Sequence, residues 1–344
     1  MIRFSKILLG ITILLLLLWQ LPWCYRFFTS KQQRNPFTIY SCVIGDFALT
    51  QSGEGKGIKR TDLAGNTYTE AEFDSILPMF YYRQLMSDDR LPDSINGVAI
   101  TPRIIQMESF NFRHSPEDIN APVIGLYPLL ESLSGRVDLK MPDDVFRITD
   151  KGIEFIDIES NSVKAAKSQL FTEAMSKKGF VFPAKEISGN PTTRKEYDEG
   201  YVMLDVKNRL FHVKQVKGKP YVRSIEVPTD ITLKHLFITE FKNHKTLAFM
   251  ADAENHFYVL NNKTYDIVKV GIPSFNPKTD GMTILGNMFD WTVRVMTEES
   301  DSYYAVDAND YSLIKQIDYK NGDIDLPIQL YFTSGADKFV KPRM

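Results

Sequence analysis

The sequence predicts a mainly β protein with a few helices: an N-terminal transmembrane helix followed by a β-propeller-like or β-meander domain. Three observations carry this reading. An uncharged apolar run lies between Lys6 and Arg26. Only two later stretches space their apolar residues as a helix does. From about Gly200, a strand–turn–strand pattern recurs about every 47 residues, within the range of propeller blades.

Ile7 to Tyr25 approaches the roughly 20 apolar residues that cross a bilayer. Its exit, Leu21-Pro22-Trp23-Cys24-Tyr25, is bulky and lacks a small-residue cleavage site, so it reads as an uncleaved signal anchor. Trp19, Trp23 and Tyr25 suit the membrane interface. A lipid-modified Cys24 would need a small residue before it, and Trp23 stands there. Arg3 and Lys6 before the span nearly balance Arg26, Lys31 and Arg34 after it. The short tail and large C-terminal region therefore set the expectation: single-pass in the inner (cytoplasmic) membrane, with the bulk of the chain extracytoplasmic.

The chain divides by composition into residues 1–28 (cytoplasmic tip and transmembrane anchor), 29–36 (tether), 37–150 (an α+β region) and 151–335 (the β-rich repeat region). Thr38 to Thr50 has strand character, a polar turn follows at Gly53 to Arg60, and another turn lies within Thr61 to Tyr68. Thr69 and Glu72 are spaced as a capping box. The stripe Phe73, Ile76, Leu77, Phe80, Tyr81, Leu85 predicts a helix that Pro78 kinks or divides. Arg103 to Phe112 reads as strand. A second helix is expected from an Asn161 cap, with Val163, Ala166, Leu170, Ala174 and Met175 on its apolar face. Gly179 supplies the left-handed residue after its end.

In the repeat, Asp205, Asn208 and Phe211 align with Asp252, Asn255 and Tyr258. A third copy pairs Asp301 with Asn255, Tyr303 and Tyr304 with Phe257 and Tyr258, and Val306 with Leu260. The match continues from Tyr265, Ile267, Val268 and Lys269 to Tyr311, Leu313, Ile314 and Lys315. Glu154 to Glu159 suggests an earlier, divergent copy.

Gly179 to Lys214, with YYRQLMSDDRLPDSI (Tyr81 to Ile95), resembles an uncharacterised family of single-span envelope proteins, mostly from Bacteroidota. The resemblance implies an anchor plus a β-rich outer domain, beside ABC-type export systems. It brings no catalytic residues.

Composition narrows the chemistry. With 344 residues, 43% hydrophobic, 24% charged and a net charge of −2, the chain is globular and has no basic field for nucleic acid. Two cysteines supply no disulfide framework, and Cys42 reads as a core residue or a partner of Cys24. The five histidines form no zinc motif, although His212 and His256 fall near equivalent repeat positions. The twelve methionines are scattered. Gly53, Gly55 and Gly57 with Lys56 lack phosphate-loop spacing. There is no G-x-S-x-G elbow. Asp307, Asn309 and Asp318 match part of a calcium loop, with Ser312 where glycine is needed. Asp88-Asp89 and Asp143-Asp144 lie beside prolines and read as solvated turn residues. No catalytic, metal or cofactor residue is therefore assigned.

The expected function is a membrane-anchored extracytoplasmic binding or accessory protein. It holds the lipid bilayer through its helix and supports an ABC-type transport system, with a membrane permease as its partner. Phe110, Phe112, Phe257, Tyr258, Tyr303 and Tyr304 are the candidate interface anchors, most of them expected in the core. The alternative is an envelope hydrolase or lyase with a carboxylate-based site on a propeller-like scaffold.

Overall fold

The fold is taken from a computed structural model that describes residues 2–29, 35–52, 57–133, 135 and 137–320. Expectations placed on residues 30–34 of the tether, on Gly53 to Lys56, on residues 321–335 and on the side chains of Trp23, Cys24, Tyr25 and Arg26 lie outside what is described. The chain is mainly β, as the sequence predicts. It forms two compact units, one of residues 1–121, 277–308 and 314–344, the other of 122–276 and 309–313.

The first unit begins with α1 (Ile2–Thr29), in which Arg3 to Leu21 is long and apolar enough to cross a membrane, and none of it is buried. The expected strand at Thr38 to Thr50 is a hairpin of β1 (Phe37–Ser41) and β2 (Asp46–Ser52), and β3 (Ile58–Asp62) completes a three-stranded sheet. Next come α2 (Glu70–Ile76) and α3 (Pro78–Ser87). Thr69 and Glu72 cap each other's backbone at the start of α2, and Pro78 divides the stripe by opening α3. A small hairpin, β4 (Ser94–Ile95) and β5 (Val98–Ala99), leads to α4 (Pro102–Glu108), β6 (Phe110–His114) and α5 (Pro116–Asn120). Of the strand expected over Arg103 to Phe112, Arg103 to Glu108 is thus corrected to a helix, and Phe110 to Phe112 lie in β6. Thr101 Oγ1 accepts from the Ile104 N–H at 3.2 Å, and Pro102 sits in the first turn, where its missing N–H costs nothing.

The second unit opens with the hairpin β7 (Asp144–Ile148) and β8 (Ile153–Asp157), which packs on α6 (Ala165–Lys177). Phe146, Phe155, Phe171 and Met175 share its core. The helix starts later than predicted, and Lys164 rather than Asn161 precedes it. Asn161 instead turns the chain at φ 52°, and Leu170 is exposed while Phe171 is buried. Gly179 takes the expected left-handed conformation at φ 91°.

Two four-stranded antiparallel meanders follow. The first runs β9 (Ala184–Gly189), β10 (Tyr201–Asp205), β11 (Leu210–Val216), β12 (Lys219–Ile225). The second runs β13 (Leu233–Ile238), β14 (Thr246–Asp252), β15 (Phe257–Asn261), β16 (Ile267–Lys269). All residues of β10 and β14 are buried, as befits strands covered on both faces. The chain then returns to the first unit with β17 (Gly281–Gly286), β18 (Asp290–Met296), β19 (Ser300–Asp307) and β20 (Leu313–Lys320). There β6 adds to β17, making a five-stranded sheet from distant parts of the sequence.

The repeat is a repeat of turns. Asp205 Oδ1 accepts from the N–H groups of Lys207 and Arg209, and Asp252 Oδ1 from those of Glu254 and His256. Asn208 and Asn255, three residues on, are left-handed at φ 59° and 67°. Asp62 heads the same turn, with Gly65 at φ 87°, and Tyr68 donates to Asp62 Oδ2 as Tyr258 does to Asp252 Oδ2. A second turn places a left-handed residue four after Ser41, Asp157, Asn261 and Asp307: Gly45, Asn161, Tyr265 and Tyr311 (φ 64°, 52°, 65° and 61°). The Glu154–Glu159 copy belongs to this set. The pairing of Asp301 with Asn255 fails, because Asp301 lies within β19 and bonds Arg294 at 2.5 Å.

Candidate binding cavity

In the first unit, four segments enclose a cavity of about 360 Å³: β1 with Cys42, the α2–α3 junction, the start of β6, and the β17–β18 hairpin. Tyr40 N–H donates to Thr292 Oγ1 at 2.9 Å, and Ser41 Oγ donates to the Ile76 carbonyl, which ties β1 to β18 and to the helix junction. Gly286 is required at the wall. A Cβ there would collide with the Phe110 ring, which packs nearly perpendicular to Trp291 with ring centroids 5.2 Å apart. The lining is mainly apolar and aromatic, with Tyr40, Phe80, Tyr82 and Phe110 among it.

The polar centre of the cavity is Asp290, which is only 1% exposed. The Asn287 side chain closes the β17–β18 turn by accepting from Phe289 N–H at 2.7 Å, and its Nδ2 donates to Asp290 Oδ1 at 3.2 Å. Asp290 Oδ2 is buried without a regular hydrogen bond, and so is Ser109 Oγ on the same cavity. Burial pushes the Asp290 carboxyl up to about 7; hydrogen bonds from Asn287 and from the Cys42 thiol oppose this, and the charge of Asp307 adds to it. Burial, and then Asp290, push the Cys42 thiol up to about 12, so it is a neutral thiol rather than a nucleophilic thiolate at neutral pH. Cys42 is free and half-buried, at the cavity rather than deep in the core.

The second unit gathers more charge and leaves less of it open. Lys195 Nζ contacts Asp198 Oδ2 at 2.7 Å and Glu240 Oε2 at 2.5 Å. Lys214 Nζ donates to Glu199 Oε2 at 2.6 Å, and Asn262 Nδ2 to Oε1 at 3.1 Å. His212 is fully buried; its Nε2 lies 2.6 Å from the Glu199 carbonyl and its Nδ1 2.8 Å from the Tyr265 hydroxyl. A carbonyl only accepts, so Nε2 carries the proton and Nδ1 accepts from Tyr265. Burial holds His212 below its ordinary pKa, and the nearby Lys214 adds to this. Burial raises Asp198 to about 6, against the pull of Lys195.

The other residues singled out by sequence take separate places. His256 pairs with Asp252 at 2.9 Å, so it and His212 serve different partners. Among the described residues no group of three or more His, Cys, Asp or Glu is placed to hold a metal ion. Asp307 ends β19, Asn309 lies in the following turn and Asp318 lies well along β20. Asp88 accepts from Gln84 and Arg90. Asp144 departs from the solvated reading: it is 2% exposed and held by Lys167 at 2.9 Å and Lys164 at 3.1 Å. Of the six aromatic candidates, Phe257, Tyr258, Tyr303 and Tyr304 are buried, and Phe110 lines the cavity. Asp290, Ser109 and Asn287 carried one sequence signal, an acidic residue set in an apolar strand run (Phe289 to Val293).

Among curated proteins none matches the chain in sequence. Several solved structures resemble it distantly. PorZ of Porphyromonas gingivalis, described as a surface component of its type-IX secretion system, is 12% identical over 87% of this chain and 28% of its own, at a TM-score of 0.25. The β-propeller domain of Cps50 (Swd1) from Myceliophteria thermophila is 14% identical over 63% of this chain and 62% of its own, at 0.30. The WD40 domain of SCAP from fission yeast is 9% identical over 90% and 79%, at 0.31. The chain thus spans just over a quarter of PorZ. Residues 37–306, from β1 into β19, match a family profile, and the chain belongs to the family described as a domain of unknown function, DUF4857.

Proposed function

We propose that this protein is a membrane-tethered binding protein whose ligand site is the Asp290 cavity. The observation that carries the reading is a buried carboxyl in the lining of a mainly apolar pocket, with Asn287 and the Cys42 thiol as its donors and no lysine, arginine or histidine among the lining residues described. A concave apolar site with a few convergent polar groups is the usual form of a small-molecule site. The exposed apolar stretch of α1 supports a tether in the inner membrane, with the β-rich units on its outer face. The role is accessory to an ABC-type export system, as the resemblance to single-span envelope proteins implies.

A reporter fused after Met344 is expected to be active only outside the cytoplasm; cytoplasmic activity would overturn the placement. Purification in mild detergent is expected to recover a transporter permease or ATPase, and recovery of the protein alone would count against the accessory role. The alternative, an envelope hydrolase or lyase, draws on the convergence of Glu199, His212 and Tyr265. Loss of a hydrolytic or lyase activity in His212→Gln, with folding retained, would favour it.

A further inference from the structure

We propose that the Asp290 cavity selects a primary ammonium group borne on an aromatic or alkyl body, that is, a cationic amphiphile. The inference deepens the binding reading above and rests on it.

Among the described residues the cavity lining holds one acidic side chain, Asp290, and no Lys, Arg or His. Buried carboxylates are ordinarily paired with a cation of the protein. Here none of the lining residues supplies that partner, so the counter-charge is left for the ligand to bring.

The hydrogen-bond inventory agrees. Two of the lining residues each hold a buried oxygen without a regular hydrogen bond, Asp290 Oδ2 and Ser109 Oγ, and both atoms can accept. An ammonium carries three donors, and its bond to a carboxylate is charge-assisted. A carboxylate ligand would place like charge against Asp290. The aromatic faces of Tyr40, Phe80, Tyr82 and Phe110 suit both an apolar body and a cation near its end.

The site carries its own pH signature. The titratable groups facing Asp290 are Cys42 and Tyr40 on the β1 side and Asp307 on β19, with Tyr82 of α3 on the cavity wall. Burial pushes Tyr40 and Cys42 up, so both stay neutral while Asp290 titrates near 7. An ammonium ligand needs the ionised carboxyl, and the fraction of protein in that form rises about tenfold between pH 6 and pH 8, taking apparent affinity with it. A neutral hydrogen-bond acceptor would need the protonated acid and would show the opposite trend.

The test uses the full chain in lipid nanodiscs and three indoles that differ in their end group: tryptamine, tryptophol and indole-3-acetate. Calorimetric titration is expected to show tryptamine binding at least tenfold tighter than tryptophol at pH 8, no binding of indole-3-acetate, and a tryptamine affinity about tenfold weaker at pH 6. Asp290→Asn is expected to remove the preference for tryptamine over tryptophol. The pH dependence of the unaltered protein decides the matter even where that variant does not fold. Tryptophol binding as well as tryptamine, or tryptamine binding better at pH 6, would overturn the ammonium specificity and leave the cavity a binding site. Failure of all three to bind would overturn both.

Discussion

Two sites, one in each unit, bury acidic side chains in opposite ways. In the second, Asp198, Glu199 and Glu240 meet Lys195, Lys214 and Asn262, and each carboxyl oxygen has a partner. In the first, Asp290 keeps Oδ1 on Asn287 and leaves Oδ2 without a regular bond. Leaving a buried polar atom unpaired costs about 1–3 kcal/mol, so the first arrangement weakens the fold where the second supports it. Saturation fits a cluster that supports the scaffold, whereas an acid without a cation beside a cavity is the basis of the binding proposal. His212 illustrates the scaffold side: it is buried and unusual in pKa, yet both ring nitrogens are occupied.

The sharpest way to break this contrast is Lys195→Met. Asp198 and Glu240 would lose their shared cation, and stability in urea is expected to fall by about 3–5 kcal/mol. A change under 1 kcal/mol would mean that the cluster is not the support described here. Asp290→Asn should act in the other direction. A carboxyl whose pKa is raised from 3.8 to about 7 contributes its stability in full below 3.8 and loses it as pH rises through 7. The amide should therefore melt higher than the native protein at pH 8, by about 2 kcal/mol or more, with little difference at pH 4. Equal melting at pH 8 would show that Asp290 ionises without penalty.

Acid should find the second unit's weak point. His212 is held below its ordinary value of 6.5, so the unfolded chain takes up a proton before the folded one does. Stability should then fall by about 1–3 kcal/mol as pH drops below 6.5, and His212→Gln should flatten that slope. The smallest effect is expected from Asn262→Ala, which removes one of the two side-chain bonds to Glu199, at about 1 kcal/mol.

What could be read from the sequence was local. The Thr69–Glu72 capping box, the Pro78 break and the Gly179 stop each depend on neighbours within a few residues, and each stands in the structure. The Asp-x-x-Asn turns were legible for the same reason. At α4, Ile104 and Ile105 drew the reading toward strand, although Thr101 and Pro102 already spelled a helix start. The composition cut at 150/151 follows residue types, whereas the units divide at 121/122 and 276/277, where the chain leaves and rejoins its contacts. The cavity was the least legible feature. Asp290 is buried by β1, the α2–α3 junction and β6, all more than 170 residues earlier in the chain. No local pattern shows that Asn287 and Cys42 will face the same carboxyl. Its single trace, a charge among Phe289, Trp291 and Val293, is also what an ordinary hairpin corner looks like.

The central claim concerns Asp290, which is buried beside its cavity with Asn287 and the Cys42 thiol but no cation of the protein among the described lining residues, the place proposed for an ammonium group. Isotope-edited NMR titration of the aspartate carboxyl carbons, with Asp290→Asn to assign the signal and with and without saturating tryptamine, tests it most directly. The account predicts a free-state midpoint near 7 that falls by at least one unit when the amine binds. A midpoint near 4 in the free protein, or one that tryptamine leaves in place, would contradict it.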